Sequence, residues 1–181
     1  IKTLKSNDVF EEAFIFATNG TELSTEWSKS IIKECNKIKR DISSQDINSR
    51  KDLRRLNFVT IDGSNAKDFD DAVYAEESSD GFLLYVAIAD VSEYVLQDSS
   101  LDKEAFSRAT SVYFEKKVIP MLPELISNKL CSLRPNEDKL VLTCEIYLDK
   151  EGEIKSFEFF NSVICSKNRL TYDEVEKFYQ K

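Results

Sequence analysis

Histidine is absent from all 181 residues. That excludes Ser-His and Cys-His nucleophilic machinery, histidine-ligated zinc and imidazole bases within this chain. Glycine and proline are scarce, at four and three, so collagen-like and low-complexity readings are excluded. No apolar run approaches the length that crosses a bilayer, and no signal-peptide pattern opens the chain. These two absences predict a cytoplasmic protein with no membrane or lipid partner. No C-x-x-C pair occurs among Cys35, Cys131, Cys144 and Cys165, and without a secretory signal they read as buried thiols. The chemistry left is that of carboxylates, water and hard cations such as Mg²⁺ or Mn²⁺.

Acid is what the chain has in excess. Its formal charge is −8, which argues against indiscriminate attraction to nucleic acid but does not exclude a nucleic-acid enzyme. Clustered acids inflate the count, and each bound divalent ion cancels two charges locally. Four aspartates, Asp62, Asp68, Asp70 and Asp71, fall within ten residues directly after the apolar stretch Phe58–Ile61. Two unit charges 4 Å apart repel by about 4 kcal/mol at an effective dielectric near 20. Converging acids therefore hold protons or hold metal, and Lys67 alone cannot balance them. A solvated turn is the competing reading, since Asp and Gly are turn residues. It is weakened by Phe69 between Asp68 and Asp70 and by the apolar flanks. An EF-hand fails, because counting from Asp62 places Lys67 at the required Gly and Val73 at the bidentate Glu.

The length allows one domain, with or without a short appendage, and the start at Ile1 without Met suggests a piece of a longer product. Residues 1–23 fit strand and helix about equally. A helix is expected from Ser24 or Thr25 to about Arg40, on the spacing of Trp27, Ile31, Cys35 and Ile38. Residues 41–51 read as a polar loop, which sets a boundary near residue 50 between a helix-bearing region 1–50 and a domain over 51–181. Beyond it, Phe58–Ile61 reads as a strand, with Gly63 letting the backbone reverse after Asp62. Asp71–Ala75 and Phe82–Ala89 read as a hairpin around Ser78–Gly81, the second strand apolar enough to be central. Leu101–Ala109 reads as a helix, Val118–Pro123 as irregular, and Pro123 can begin a short helix through Leu130. Leu140–Leu148 and Ile154–Cys165 form a second hairpin, and Thr171–Glu174 is a capping box that starts a last helix. The pattern predicts an α+β fold, a mixed and largely antiparallel twisted sheet with flanking helices.

The segment Val59-Thr-Ile-Asp-Gly-Ser-Asn-Ala-Lys-Asp-Phe-Asp-Asp-Ala-Val73 resembles the signature of the RNase II/RNase R exoribonuclease family, in its catalytic RNB domain. Val86–Ser92, Ala109–Phe114, Val118–Pro123 and Leu130-Cys-Ser-Leu-Arg-Pro135 continue the resemblance in order, closer to RNase R than to RNase II. The resemblance implies that 51–181 is the N-terminal half of an RNB catalytic domain and that 1–50 is a connector region, with a helix, preceding it. It implies 3′→5′ hydrolysis of single-stranded RNA to nucleoside 5′-monophosphates, with Mg²⁺ or Mn²⁺. Asp62, Asp68, Asp70 and Asp71 would then be the catalytic and metal-holding acids. Asp62 and Asp71 would be the main ligands, Asp70 the acid most critical for hydrolysis, and Asp68 a support. Tyr113 matches the aromatic that stacks on the terminal base, although by itself it reads as a core or strand tyrosine.

Glu93, Lys129 and Glu115 depart from the family pattern, and none touches the four acids. The resemblance further implies a monomeric parent with additional RNA-binding domains. The second half of the catalytic domain, with an arginine that stabilises charge at the scissile phosphate, lies outside this chain, which is expected to be inactive alone. A noncatalytic RNA- or partner-binding module that keeps the fold is the alternative, and a purely structural Mg²⁺ or Ca²⁺ site a third.

Overall fold

The computed structural model describes residues 9–19, 21 and 24–180. In chain order the elements begin with α1 (Val9–Thr18), α2 (Lys29–Cys35), α3 (Ser44–Asn48), β1 (Lys51–Asp52) and β2 (Val59–Asp62). Then come β3 (Asp71–Ser78), β4 (Gly81–Ala89), α4 (Ser100–Arg108), β5 (Val112–Tyr113) and β6 (Val118–Ile119). The chain closes with β7 (Asp138–Asp149), β8 (Ile154–Cys165), β9 (Asn168–Thr171) and α5 (Tyr172–Tyr179). Among the described residues no helix is long and apolar enough to cross a membrane.

The chain forms two compact units, one from the described part of Ile1–Ile38 with Val95–Glu124, the other from Lys39–Tyr94 with Leu125–Lys181. In the first unit α2 starts four residues later than its spacing suggests, at the cap Ser28, whose hydroxyl accepts from the Ile31 N–H. Residues 9–18, ambiguous in sequence, are helical. Ile31 and Leu101 are buried where α2 and α4 pack together. The Glu34 carboxylate accepts from the Ser100 and Leu101 N–H groups at the start of α4. Arg108 closes α4 and lies 3.8 Å from the Trp27 ring centroid, where cation and ring face attract.

The second unit is built on a seven-stranded sheet in the order β1-β8-β7-β4-β3-β2-β9. Its inner pairs are antiparallel, and the two outermost pairs, β1/β8 and β2/β9, are parallel. The expected α+β architecture with a mixed, largely antiparallel sheet is therefore what forms. β4 is central, as its composition suggests, and it presents Leu83, Tyr85, Ala87 and Ala89 to the buried side. Gly81 begins β4 so close to β7 that a Cβ would run into the Leu148 carbonyl, so only glycine fits.

Four local expectations change. The polar stretch before residue 51 contains α3, because Ser43 and Asp46 form a reciprocal capping box. Val118–Ile119 is not irregular but pairs with β5, the prolines falling just outside the two-residue ladder. The short helix before Leu130 closes as a π turn, with Cys131 N–H donating to Ile126 O at 2.9 Å. The strand β9 is not signalled by periodicity at all. The cysteines are free thiols, Cys35 and Cys131 buried and the other two partly so. Burial pushes the Cys131 thiol up to about 12, which removes it as a nucleophile at neutral pH.

Candidate acidic site

Phe58, with no exposed surface, anchors the strand that carries the first acid. Its ring lies 6.0 Å from Tyr74 and 6.3 Å from Tyr85, and its carbonyl accepts from the Lys167 N–H at 2.7 Å. Burying such a side chain contributes about 1.5–3 kcal/mol, so the start of β2 is firmly placed. Asp62 is the last residue of β2 and Asp71 the first of β3. Val59 opposite Val73 is the paired position of the short β2/β3 ladder, and residues 63–70 between the strands follow an irregular path. An irregular path is what four acids need in order to face one place, since consecutive residues of an extended strand point to opposite sides.

Two supports shape that connection. In its first arm, a turn is closed by Ala66 N–H donating to Gly63 O at 3.1 Å. Gly63 has no left-handed backbone and open space where a Cβ would stand, so the expectation that glycine enables the reversal is not met. The reversal is made by Ser64 and Asn65 inside the hydrogen-bonded turn. In the second arm, the Phe69 N–H donates to the buried Ser132 hydroxyl at 3.1 Å, and that hydroxyl donates to Lys67 O at 3.2 Å. Leu133 N–H adds a bond to Phe69 O at 2.8 Å, and Ala89 N–H one to Asp70 O at 2.9 Å. Phe69 is buried, so Asp68 and Asp70 flank an anchored ring.

The electrostatics bind the acids into one group. Burial raises the Asp62 carboxyl above the ordinary carboxylate range, Asp71 and Asp68 raise it further, and Arg169 partly opposes them. Asp70 has a solvent-facing flank but rests on dense protein. That desolvation raises its pKa, and the charges of Asp68, Asp62 and Asp71 add to the shift. Asp62 Oδ2 is buried with no hydrogen-bond partner. A buried carboxylate oxygen normally has one, and leaving it without costs about 1–3 kcal/mol.

Four clustered carboxylates, one with an unused buried oxygen, supply the donor chemistry that hard divalent cations take. In chemistry the residues therefore fit such an ion. Among the described residues no three acidic, cysteine or histidine side chains close into a finished cage. The acids stand within electrostatic reach of one another without converging on a point. Tyr113 belongs to the other unit, on β5, where it is 67% exposed. Arg169 of β9 contributes to the site and was not signalled by the motif. Its guanidinium donates to Gly63 O at 2.9 Å and Ser64 O at 2.7 Å. The sequence clue was its place just before the Thr171 capping box, which fixes where β9 ends.

Fold and site together define an α+β domain with an acidic strand-end site. Residues 50–181 match the family described as RNB domain, and the chain belongs to that family. It is 50% identical over 153 residues to Ribonuclease R of Acidithiobacillus ferrooxidans, covering 84% of this chain and 35% of that protein. To Ribonuclease R of Buchnera aphidicola it is 49% identical over 156 residues, covering 84% of this chain and 21% of the other. The solved structure of Mycoplasma genitalium RNase R in complex with double-stranded RNA superposes with a TM-score of 0.80 at 42% identity. That match covers 86% of this chain and 28% of the other. The chain thus spans between about a fifth and a third of the length of these relatives.

Proposed function

We propose that this chain carries the acidic part of the active site of a 3′→5′ exoribonuclease that hydrolyses single-stranded RNA to nucleoside 5′-monophosphates. The observation that carries the reading is the Asp62–Asp71 group: four acids held by separate backbone supports, with their pKa values pushed up at Asp62 and Asp70 and one oxygen unused. A group so costly to keep is a candidate for function rather than stability. RNB-family membership and Ribonuclease R relatives supply the substrate class.

Asp62, Asp68, Asp70 and Asp71 would hold Mg²⁺ or Mn²⁺. When bound, such an ion stabilises charge on a phosphodiester and lowers the pKa of water. The rest is done by the chain. Asp62 at the end of β2 and Asp71 at the start of β3 form the fixed rim, because both are continuous with hydrogen-bonded strands. Asp70, held through its carbonyl by Ala89 and partly desolvated, would orient the attacking water and take its proton. Asp68, on the other side of the anchored Phe69, supports it. Tyr113, exposed on its hairpin, offers a ring on which a terminal base can stack, a contact of about 1–3 kcal/mol in single-strand binders. In this reading the parent protein acts in the cytoplasm as a monomer with further RNA-binding domains.

The test is release of mononucleotides from 3′-labelled single-stranded RNA by the protein that carries this chain, with and without Mg²⁺. Asp70→Asn is expected to lower the rate by more than about a hundredfold, the upper range for residues that merely orient a metal ligand. No mononucleotide release, or release that Asp70→Asn leaves unchanged, overturns the reading.

A further inference from the structure

The four acids have one structural counterpart that no motif announces. Arg169 stands opposite Thr60 in the parallel β2/β9 ladder, two positions before the point where Thr171 faces Asp62. From there its side chain runs along the strands to the first carbonyls beyond Asp62. One guanidinium nitrogen donates to both Gly63 O and Ser64 O, at 2.9 and 2.7 Å. The guanidinium carbon also lies 5.0 Å from the Phe69 ring centroid. Phe69 sits between Asp68 and Asp70. A single side chain thereby touches both arms of the connection, 63–64 on one side and 69 on the other.

The two arms are not equally supported without it. Ser132 and Leu133 hold the second arm by three hydrogen bonds to Lys67 and Phe69. The first arm has its own turn and the Arg169 clamp. Asp62 is therefore braced from below by the β2/β9 ladder and from above by the two carbonyls that Arg169 holds. Arg169 Nε is itself buried without a partner, as is Asp62 Oδ2, so both groups were left in the interior at a cost in solvation. An arginine needed only to extend the β9 ladder could turn its head to solvent and avoid that cost.

We infer that Arg169 is a positioning residue for the metal-holding acids: its fork fixes the backbone after Asp62 and its plane seats Phe69, which together hold Asp62 and Asp70 in register. Lysine could not replace it fully, since an ammonium on a flexible stem lacks the planar fork and stacks poorly on a ring. The inference rests on the hydrolytic reading above only for the identity of the reaction. The clamp itself acts on cation binding, which can be measured without RNA.

The experiment titrates Mn²⁺ into the protein that carries this chain, by electron paramagnetic resonance, for the unaltered sequence, Arg169→Lys, Arg169→Met and Asp70→Asn. Kinetics on single-stranded RNA and thermal melting accompany each titration. Arg169→Met is expected to weaken Mn²⁺ binding about 10–100-fold, as loss of an outer-shell partner does, and Arg169→Lys less. The turnover number should fall while KM for RNA holds, because Arg169 is engaged with the acidic connection. Arg169→Lys should melt with the unaltered protein, which separates positioning from folding. Unchanged Mn²⁺ affinity in both Arg169 variants overturns the inference, as does weakening that only tracks loss of the native fold. If Asp70→Asn leaves hydrolysis intact, the hydrolytic reading falls instead, and the Mn²⁺ titrations still decide the role of Arg169.

Discussion

Two acidic regions of the sheet unit solve the same problem in opposite ways. Asp90, just after β4, is taken out of water: its side chain is 10% exposed and that of Arg50, its partner at 2.7 Å, is 7% exposed. Burial alone would raise the Asp90 carboxyl, but hydrogen bonds from Ser92 and Arg50 and the Arg50 charge outweigh it and hold the carboxyl below its ordinary range. Glu93 adds a second acceptor for Arg50 at 2.9 Å. At Asp62 and Asp70, burial is joined by like charges, and the carboxyls are pushed up. The first cluster is internally complete. The second is left short of positive charge, which Arg169 only partly supplies. Desolvation raises the carboxyls in both places, so the difference lies in what answers it: Ser92 and Arg50 at Asp90, like charges and a distant Arg169 at Asp62.

The sharpest way to break the comparison is to remove one acid from each. Asp90→Ala leaves buried Arg50 with Glu93 as its remaining carboxylate partner, and should destabilise the protein by about 1.5–3 kcal/mol in urea denaturation. Asp70→Asn should do the reverse in metal-free buffer, with a gain below about 1 kcal/mol because its open flank is screened by solvent. Equal losses in both variants would erase the distinction. The pH dependence gives a smaller, graded version of the same contrast. Asp90 has a lowered folded pKa, so its contribution is complete above the unfolded value of about 3.9 and is lost as pH falls through the folded one. Asp62 and Asp70 have raised folded pKa values, so their penalty is absent at low pH and appears as pH rises through those values. Denaturation across pH should therefore show a shallower acid limb in Asp90→Ala, and the decline that sets in above the ordinary carboxylate range should flatten in Asp70→Asn.

What the sequence disclosed follows the length of the signal. The long hairpins β3/β4 and β7/β8 declared themselves through apolar runs and turn residues, and Thr171 with Glu174 announced α5 as a capping box. The four acids were legible because they sit in one short stretch. Helix α3 was missed altogether because its reciprocal cap uses Asp46 rather than the longer Glu or Gln. Strands β5 and β6 have two residues each, too few for any period to show. β9 holds only Asn168-Arg-Leu-Thr171, without alternation, and its partner β2 is remote in sequence. Arg169 escaped with it, since its acceptors are backbone carbonyls near residue 63, which no side-chain motif encodes.

The parallel pairing of β2 with β9 also sets a timetable for making the protein. Val59 must meet Asn168, roughly a hundred residues later, and closing a loop of that size costs about 4 kcal/mol in chain entropy. On a ribosome adding about 5–20 residues per second, the acids are exposed for about 5–20 seconds before β9 and Arg169 exist to receive them. The hairpins β3/β4 and β7/β8 can close in that interval, because their strands are neighbours in sequence. The acidic site is thus among the last parts of this unit to take shape, and a nascent chain that stops short of Arg169 has its aspartates but no arginine clamp to hold them.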